Sequence, residues 1–382
     1  MKAITTTDEL QAACDALATS PYVTVDTEFM RESTFWPILC LIQMASDDTE
    51  VLVDPLAEGL DLASFFALMA NPDVIKVFHA ARQDVEIIHH LAGTIPTPLV
   101  DTQVAAMVCG FGDSIGYANL AKQICNVDID KSSRFTDWAR RPLSEKQLVY
   151  ALADVTHLRV IYKHLETLLA KSGRRHWLSE EMDILTDPST YESDPAQAWK
   201  RLKAKVKSRK AMAVLMELAA WREEEVQRKD VPRNRVLRDE VIYDVANQAP
   251  TSESQLAKLR TISDGFARSR TGRDVLAAVQ RGLERDPETV PPIKRGAPPP
   301  PQASAIVDLL RVHLKAVSAN NDVAAKLIAT TDDLERIAVE DAADVPALRG
   351  WRRELFGEDA LAIKRGDLGL VVRNGSVGTV QI

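Results

Sequence analysis

The chain has 382 residues, 46% of them hydrophobic and 27% charged, with a formal net charge of −8. That is length for two or three domains with real cores, and the acidic balance excludes a polybasic protein, so a nucleic-acid partner would need a local patch. Cys14, Cys40, Cys109 and Cys125 form no C-x-x-C pair, and there is neither a signal-peptide core nor a run of about 18 apolar residues; a soluble, reduced, cytoplasmic protein is expected.

Up to about residue 171, short strand patterns alternate with helical ones. Strands are predicted at 22–29, 39–45, 51–54 and 74–79, with a short one near Leu99. The first three are joined by short turns, which implies an antiparallel meander. The later two alternate with helices, which implies parallel additions and an α/β sheet of mixed direction. Ser144 and Gln147 make an S-x-x-Q capping box, and the helix they open, "LVYALADVTHLRVIYKHLETLLAKSG", stops at Gly173.

Beyond 174 strand patterns nearly vanish. "TDPSTYESDPAQ" reads as a linker, and "WKRLKAKVKSRK" (199–210) is strongly basic. A helical block to about Gly282 follows, then a Pro-rich spacer, "DPETVPPIKRGAPPPPQ" (286–302), then a third block from Ala303 to Gly357. The two helical blocks share an amphipathic opening helix, a second helix and an acidic step, and are read as diverged copies of one small all-α domain. The tail, "IKRGDLGLVVRNGSVGTVQI", fits neither pattern.

Within the first strand, "YVTVDTEFMR", Asp26 and Glu28 point to one face. A lone D-x-E pair is common on solvated strands. Two further elements change its meaning. Asp84 opens the helix after the fourth strand, at the carboxyl end where open α/β sheets place ligands. Tyr150 and Asp154, at i and i+4, share a face of the long helix. Gathered together, these four carboxylates would repel one another unless divalent cations intervened. An all-oxygen set suits Mg²⁺ or Mn²⁺ rather than Zn²⁺.

With "VDTEFMRESTFWPILCLIQMA", "FHAARQD" and "DKSSRFTDWARRPLSEKQLVYALADV", the chain resembles the DEDD superfamily of 3′→5′ exonucleases, in the subgroup whose third motif carries a tyrosine, and within it the ribonuclease D family. The helical blocks resemble the helicase-and-RNase-D C-terminal (HRDC) fold. Ala80 departs from the many relatives that carry Asn after the His. The resemblance implies a ribonuclease H-like mixed-sheet exonuclease domain at 1–173 and HRDC-like domains at 205–285 and 303–382. It implies two divalent cations on Asp26, Glu28, Asp84 and Asp154, and Tyr150 positioning the attacking water. Phe29, Met30, Gln43, His79, Lys131, Ser132, Arg134 and Arg141 are candidate substrate contacts. Asp101, with Thr102, is read as a helix cap and at most a supporting residue behind the site, His89 and His90 as a helix-surface pair, His157 as a packing or surface residue, His79 as either a core or a cleft residue, and Trp199, Trp221 and Trp351 as core before base-stacking residues. The implied reaction is release of nucleoside 5′-monophosphates from RNA 3′ ends, with tRNA precursors the expected substrate. A DNA 3′→5′ exonuclease and a non-catalytic nucleic-acid-binding scaffold are the alternatives.

Overall fold

The computed structural model describes residues 2–202, 206–292, 301–340 and 342–382. Residues 203–205 of the basic stretch and 293–300 of the Pro-rich spacer lie outside the described residues. The strands Tyr22–Met30 (β1), Ile38–Ala45 (β2), Glu50–Val53 (β3), Ile75–Phe78 (β4) and Leu99–Asp101 (β5) form one sheet, in the order β3-β2-β1-β4-β5. β2 and β3 are antiparallel, while β1, β4 and β5 run parallel, giving the mixed sheet that the turn lengths predict. β1 is central, and its first half is apolar and buried on both faces. β4 pairs only with Tyr22–Thr24, so β1 runs on past the carboxyl end of its neighbour. Asp26 and Glu28 ride on that overhang.

Seven helices accompany the sheet: Thr7–Leu17 (α1), Ala63–Ala70 (α2), Arg82–Ala92 (α3), Thr102–Val108 (α4), Tyr117–Cys125 (α5), Glu145–Ser172 (α6) and Arg175–Thr186 (α7). The capping box of α6 is present, and Gly173 ends it at φ 69°, the left-handed cap that glycine adopts freely. Helix α7, which begins just beyond that stop, carries no signal that the sequence reading used.

Lys76 on β4 is fully buried, and its ammonium donates to the carbonyls of Asn71, Val74 and Thr97 at 2.6–2.7 Å. Burial pushes its proton affinity down, to a pKa of about 8. Lys76→Met would strand three carbonyls that have no other side-chain donor. We expect it to lower the unfolding free energy by about 2–4 kcal/mol in urea titrations.

The chain divides into two units, one of Met1–Glu28, Leu39–Thr190 and Gly296–Ile382, the other of Phe29–Ile38 and Tyr191–Arg295. The second unit holds helices Arg209–Lys229 (α8), Arg233–Val236 (α9), Asp239–Gln248 (α10), Glu253–Leu256 (α11), Asp264–Arg268 (α12) and Arg270–Glu284 (α13), closed on a core that includes Val214, Leu218, Ile242 and Val279. Trp199 and Trp221 pack against apolar clusters there. A side chain at Gly282 would come within 2.5 Å of the Val214 Cα, so α8 and α13 can approach only over a glycine. Arginines before, within and after α8 are partly structural: Arg201 and Arg233 hold the buried Glu223, and Arg222 holds Asp239.

The first unit ends in helices Pro301–Asn321 (α14), Ala325–Ile328 (α15), Thr331–Val339 (α16), Gly350–Arg352 (α17) and Glu358–Arg365 (α18), followed by a hairpin of Leu368–Arg373 (β6) and Ser376–Gln381 (β7). Both blocks open with a helix of 21 residues, follow it with one of 4 residues, and then with one of 10 or 9 residues. The helical path runs past Gly357, the approximate end expected of this block. A Cβ there would lie 2.6 Å from the Ala347 carbonyl, so it serves close packing and the chain stays helical into α18. The tail that fits neither pattern is the hairpin, which packs on α14 and α18. This block docks on α7 and α4. Trp351 stacks on Trp177 at 4.2 Å and 12°, Arg352 pairs with Glu180 at 2.8 Å and with Glu181, and the Ala324 N–H donates to the Met107 carbonyl at 2.9 Å.

Candidate active site

Strand alternation puts Thr24, Asp26 and Glu28 on one face of β1, and that face meets α6. The Thr24 hydroxyl lies 2.9 Å from the Val155 carbonyl, which pins α6 one residue beyond Asp154. The Tyr117 hydroxyl donates to the Ala153 carbonyl at 2.8 Å, and Cys125 reaches that of His157. Three neighbouring carbonyls of α6 thus take side-chain donors, and the helix is fixed in register against β1. Asp26, Glu28 and Asp154 consequently offer carboxylate oxygens all within 4.8 Å of one another. The Tyr150 hydroxyl donates to Asp154 from one helical turn earlier.

Asp84 approaches from the other side. Thr27 faces away from Asp26 and Glu28, and its hydroxyl donates to the buried Asp84 carboxylate at 2.5 Å. Asp84 therefore stands beside the trio rather than inside it, near enough for the Asp26 charge to act on it. What seats Asp84 is Asp101, expected as a helix cap and at most a supporting residue behind the site. Asp101 does cap α4, accepting from the Gln103 N–H at 2.8 Å, but it also accepts the N–H groups of Ala80 and Ala81, each at 2.9 Å. Ala80 sits at φ 60°, a region that alanine enters at a cost and that asparagine tolerates better. The two hydrogen bonds that Asp101 accepts hold that turn, and α3 leaves it with Asp84 in its first turn.

The electrostatics follow from crowding. Burial, then the charge on Asp154, holds the Asp26 proton affinity well above the usual carboxylate range. Burial and the three neighbouring acids push Glu28 up to about 10. Burial lifts Asp154 to about 7, against the opposing pull of the Tyr150 hydrogen bond and the Arg134 charge. Burial, then the charges of Asp154, Glu28 and Asp26, push the Tyr150 phenol further above its ordinary value. An all-carboxylate set of this size fits hard divalent cations, whose charge would remove the repulsion.

A protein-family profile described as 3'-5' exonuclease matches residues 1–170, and one described as HRDC domain matches residues 211–279. Ribonuclease D of Nitrobacter hamburgensis is 55% identical over 381 residues, covering 100% of both chains. Ribonuclease D of Bartonella henselae is 46% identical, covering 100% of this chain and 94% of the other. The chain belongs to the ribonuclease D family. The crystal structure of Escherichia coli RNase D, described as an exoribonuclease involved in structured RNA processing, superposes with a TM-score of 0.82 at 28% identity, over 96% of this chain and 98% of that one. As a family member the chain is a 3′→5′ exoribonuclease, and its exonuclease fold is metal-dependent.

Several candidate contacts need correcting against this ribonuclease D framework. Arg141 is a clip. Its guanidinium holds Asp54 through two hydrogen bonds of 2.6 and 2.7 Å and donates to the Trp138 and Cys40 carbonyls. No donor pair is left for phosphate, so Arg141→Ala should cost about 2 kcal/mol of stability and leave KM for RNA within about twofold, read from melting and from steady-state rates. His79 has both ring nitrogens engaged, by Thr102 at 3.0 Å and by the Ile115 carbonyl at 3.2 Å, and burial lowers its proton affinity. It supports the fold of the site rather than lining a cleft. Gln43 is fully buried and faces no open surface.

Arg134 is exposed, lies over the Phe135 ring at 5.1 Å, and bears electrostatically on both Glu28 and Asp154. Lys131 and Ser132 are exposed on the same loop. Phe29 and Met30 end β1, half-buried, and belong to the second unit. Trp351 is core, while His89 and His90 lie in the last turn of α3. Among the described residues no helix is long and apolar enough to cross a membrane.

Proposed function

We infer that this ribonuclease D family member trims the 3′ ends of structured RNAs in the cytoplasm, tRNA precursors foremost, releasing one nucleoside 5′-monophosphate per cut. The reading is carried by the convergence of Asp26, Glu28 and Asp154 within 4.8 Å, with the Tyr150 hydroxyl on Asp154. Asp26, Glu28 and Asp154, with Asp84 alongside, would hold two divalent cations, Mg²⁺ or Mn²⁺. Such a pair would stabilise the attacking and leaving oxygens of an in-line displacement. The chain's own groups do the rest. Tyr150 keeps its proton at neutral pH, so its hydroxyl orients the attacking water instead of taking a proton from it. Arg134 and Lys131 face outward beside the acids and would hold the phosphate next to the scissile linkage. Phe29 and Met30 would rest against the terminal base. Four free cysteines suit a reducing compartment.

The test is product analysis in Mg²⁺ or Mn²⁺, on a tRNA bearing a 3′ trailer and labelled at one end or the other. The expected result is early release of the 3′ label as a mononucleotide, with the 5′-labelled strand shortening to the folded body. A faster reaction on a matched DNA strand would move the assignment to a DNA exonuclease. Release of oligonucleotides would end it.

A further inference from the structure

A cavity of about 470 Å³ opens beside Tyr150 along α6. That size is in the range of small-molecule sites, ~300–1,000 Å³. One wall is the loop at 127–133, which contributes Val127 and Ile129. The other is the α6 stripe of Val149, Tyr150 and Ala153, spaced i, i+1, i+4. The walls are apolar, and one end is an aromatic ring whose hydroxyl belongs to the catalytic cluster.

We propose that this cavity receives an unstacked nucleobase of the RNA strand, next to the linkage that is cut. The inference rests on the exoribonuclease reading above and adds a subsite to it. Charge selects the base over the backbone. Asp130 and Glu145 line the cavity with one lysine, Lys146, whose charge bears on Asp130, and Asp128 is already paired with Lys122 at 2.7 Å, so carboxylates outnumber cations there. Carboxylates repel a phosphodiester but accept hydrogen bonds from the exocyclic amino groups of bases. The phosphate has its own place nearby. Ser133 lines the cavity, and the next residue, Arg134, acts on Glu28 and Asp154. A nucleotide with its phosphate at Arg134 would turn its base onto the Ile129 and Val149 walls, as single-stranded RNA is usually read, base by base, on apolar and aromatic surfaces.

Filling the cavity from either wall tests this. Val149, 52% exposed, can be changed to Trp from the helix side, and Ile129 to Trp from the loop side. The full-length chain is assayed on RNAs carrying a single abasic residue at the terminal, penultimate or third position from the 3′ end. We expect both variants to raise KM about tenfold on unmodified RNA, and the penalty to vanish at one abasic position, the same for both. An unchanged KM, or a penalty equal on all abasic strands, overturns the proposal. If melting shows that a tryptophan unfolds the chain, Val149→Gln fills part of the cavity with a good helix former and is read the same way. If the unsubstituted chain releases no mononucleotide, the exoribonuclease reading has failed; if it does and the variants match it, the subsite alone has.

Discussion

Asp26→Asn should lower kcat on a 3′-tailed RNA by ~10³-fold or more, because cation-borne charge stabilisation of several kcal/mol would be lost at 1.36 kcal/mol per decade. Asp26 is the acid whose charge acts on both Glu28 and Asp84, so it is the natural bridge of the cluster. The same substitution relieves repulsion in the metal-free chain and should not destabilise it. Melting separates the two effects. Asp154 and Glu28 hold their protons up to about 7 and about 10 in the fold, against ~3.9 and ~4.3 when unfolded. Between about pH 4 and those values the folded metal-free chain binds more protons than the unfolded one, so its stability falls as pH rises. In EDTA the melting temperature should therefore drop from pH 5 to pH 8. Mn²⁺ should raise it, and more at pH 8 than at pH 5, because the acids must release protons to bind a cation. Asp26→Asn should flatten both trends. A variant with full activity would remove the cluster from the mechanism.

Tyr150→Phe should reduce kcat by about 10²-fold with KM nearly unchanged, the range associated with loss of one well-placed catalytic group. The ring is buttressed by Trp138, whose centroid lies 6.2 Å away, so phenylalanine should keep the packing and lose only the hydroxyl. Because the phenol is protonated well above neutrality, the wild-type pH–rate profile should show no basic limb from Tyr150 below pH 9. Removal of the hydroxyl also removes the hydrogen bond that restrains the Asp154 proton affinity. The acidic limb of the profile should accordingly move to higher pH in the variant. An unmoved limb with normal kcat would reduce Tyr150 to a packing residue.

Much of this was legible before any coordinates, for reasons tied to particular residues. The alternation of Asp26 and Glu28 on a strand and the i, i+4 spacing of Tyr150 and Asp154 are local periodicities, and local periodicity survives folding unchanged. The capping box at Ser144 is equally local. What stayed hidden was pairing across the chain. Arg141 looked like a phosphate contact because nothing nearby in sequence shows that Asp54, 87 residues away, takes its guanidinium. His79 stayed open between core and cleft because Ile115 and Thr102, which engage its ring, lie beyond the reach of a motif. Asp101 looked like an ordinary helix cap because its second task, holding the Ala80–Ala81 amides, depends on β5 lying beside β4. The third block runs on past Gly357 because that glycine serves a close contact with the Ala347 carbonyl, which only packing shows.

The Trp177–Trp351 stack has a consequence for how such a chain can be shortened. Each of those rings covers ~150–250 Å² of surface, and Arg352 ties the same seam to Glu180 and Glu181. Trimming away the last eighty or so residues would leave an oily, acid-flanked scar along α7, on the half that carries the chemistry. A version of this chain shortened in that way would therefore need Trp177 replaced at the same time by a residue that water will wet.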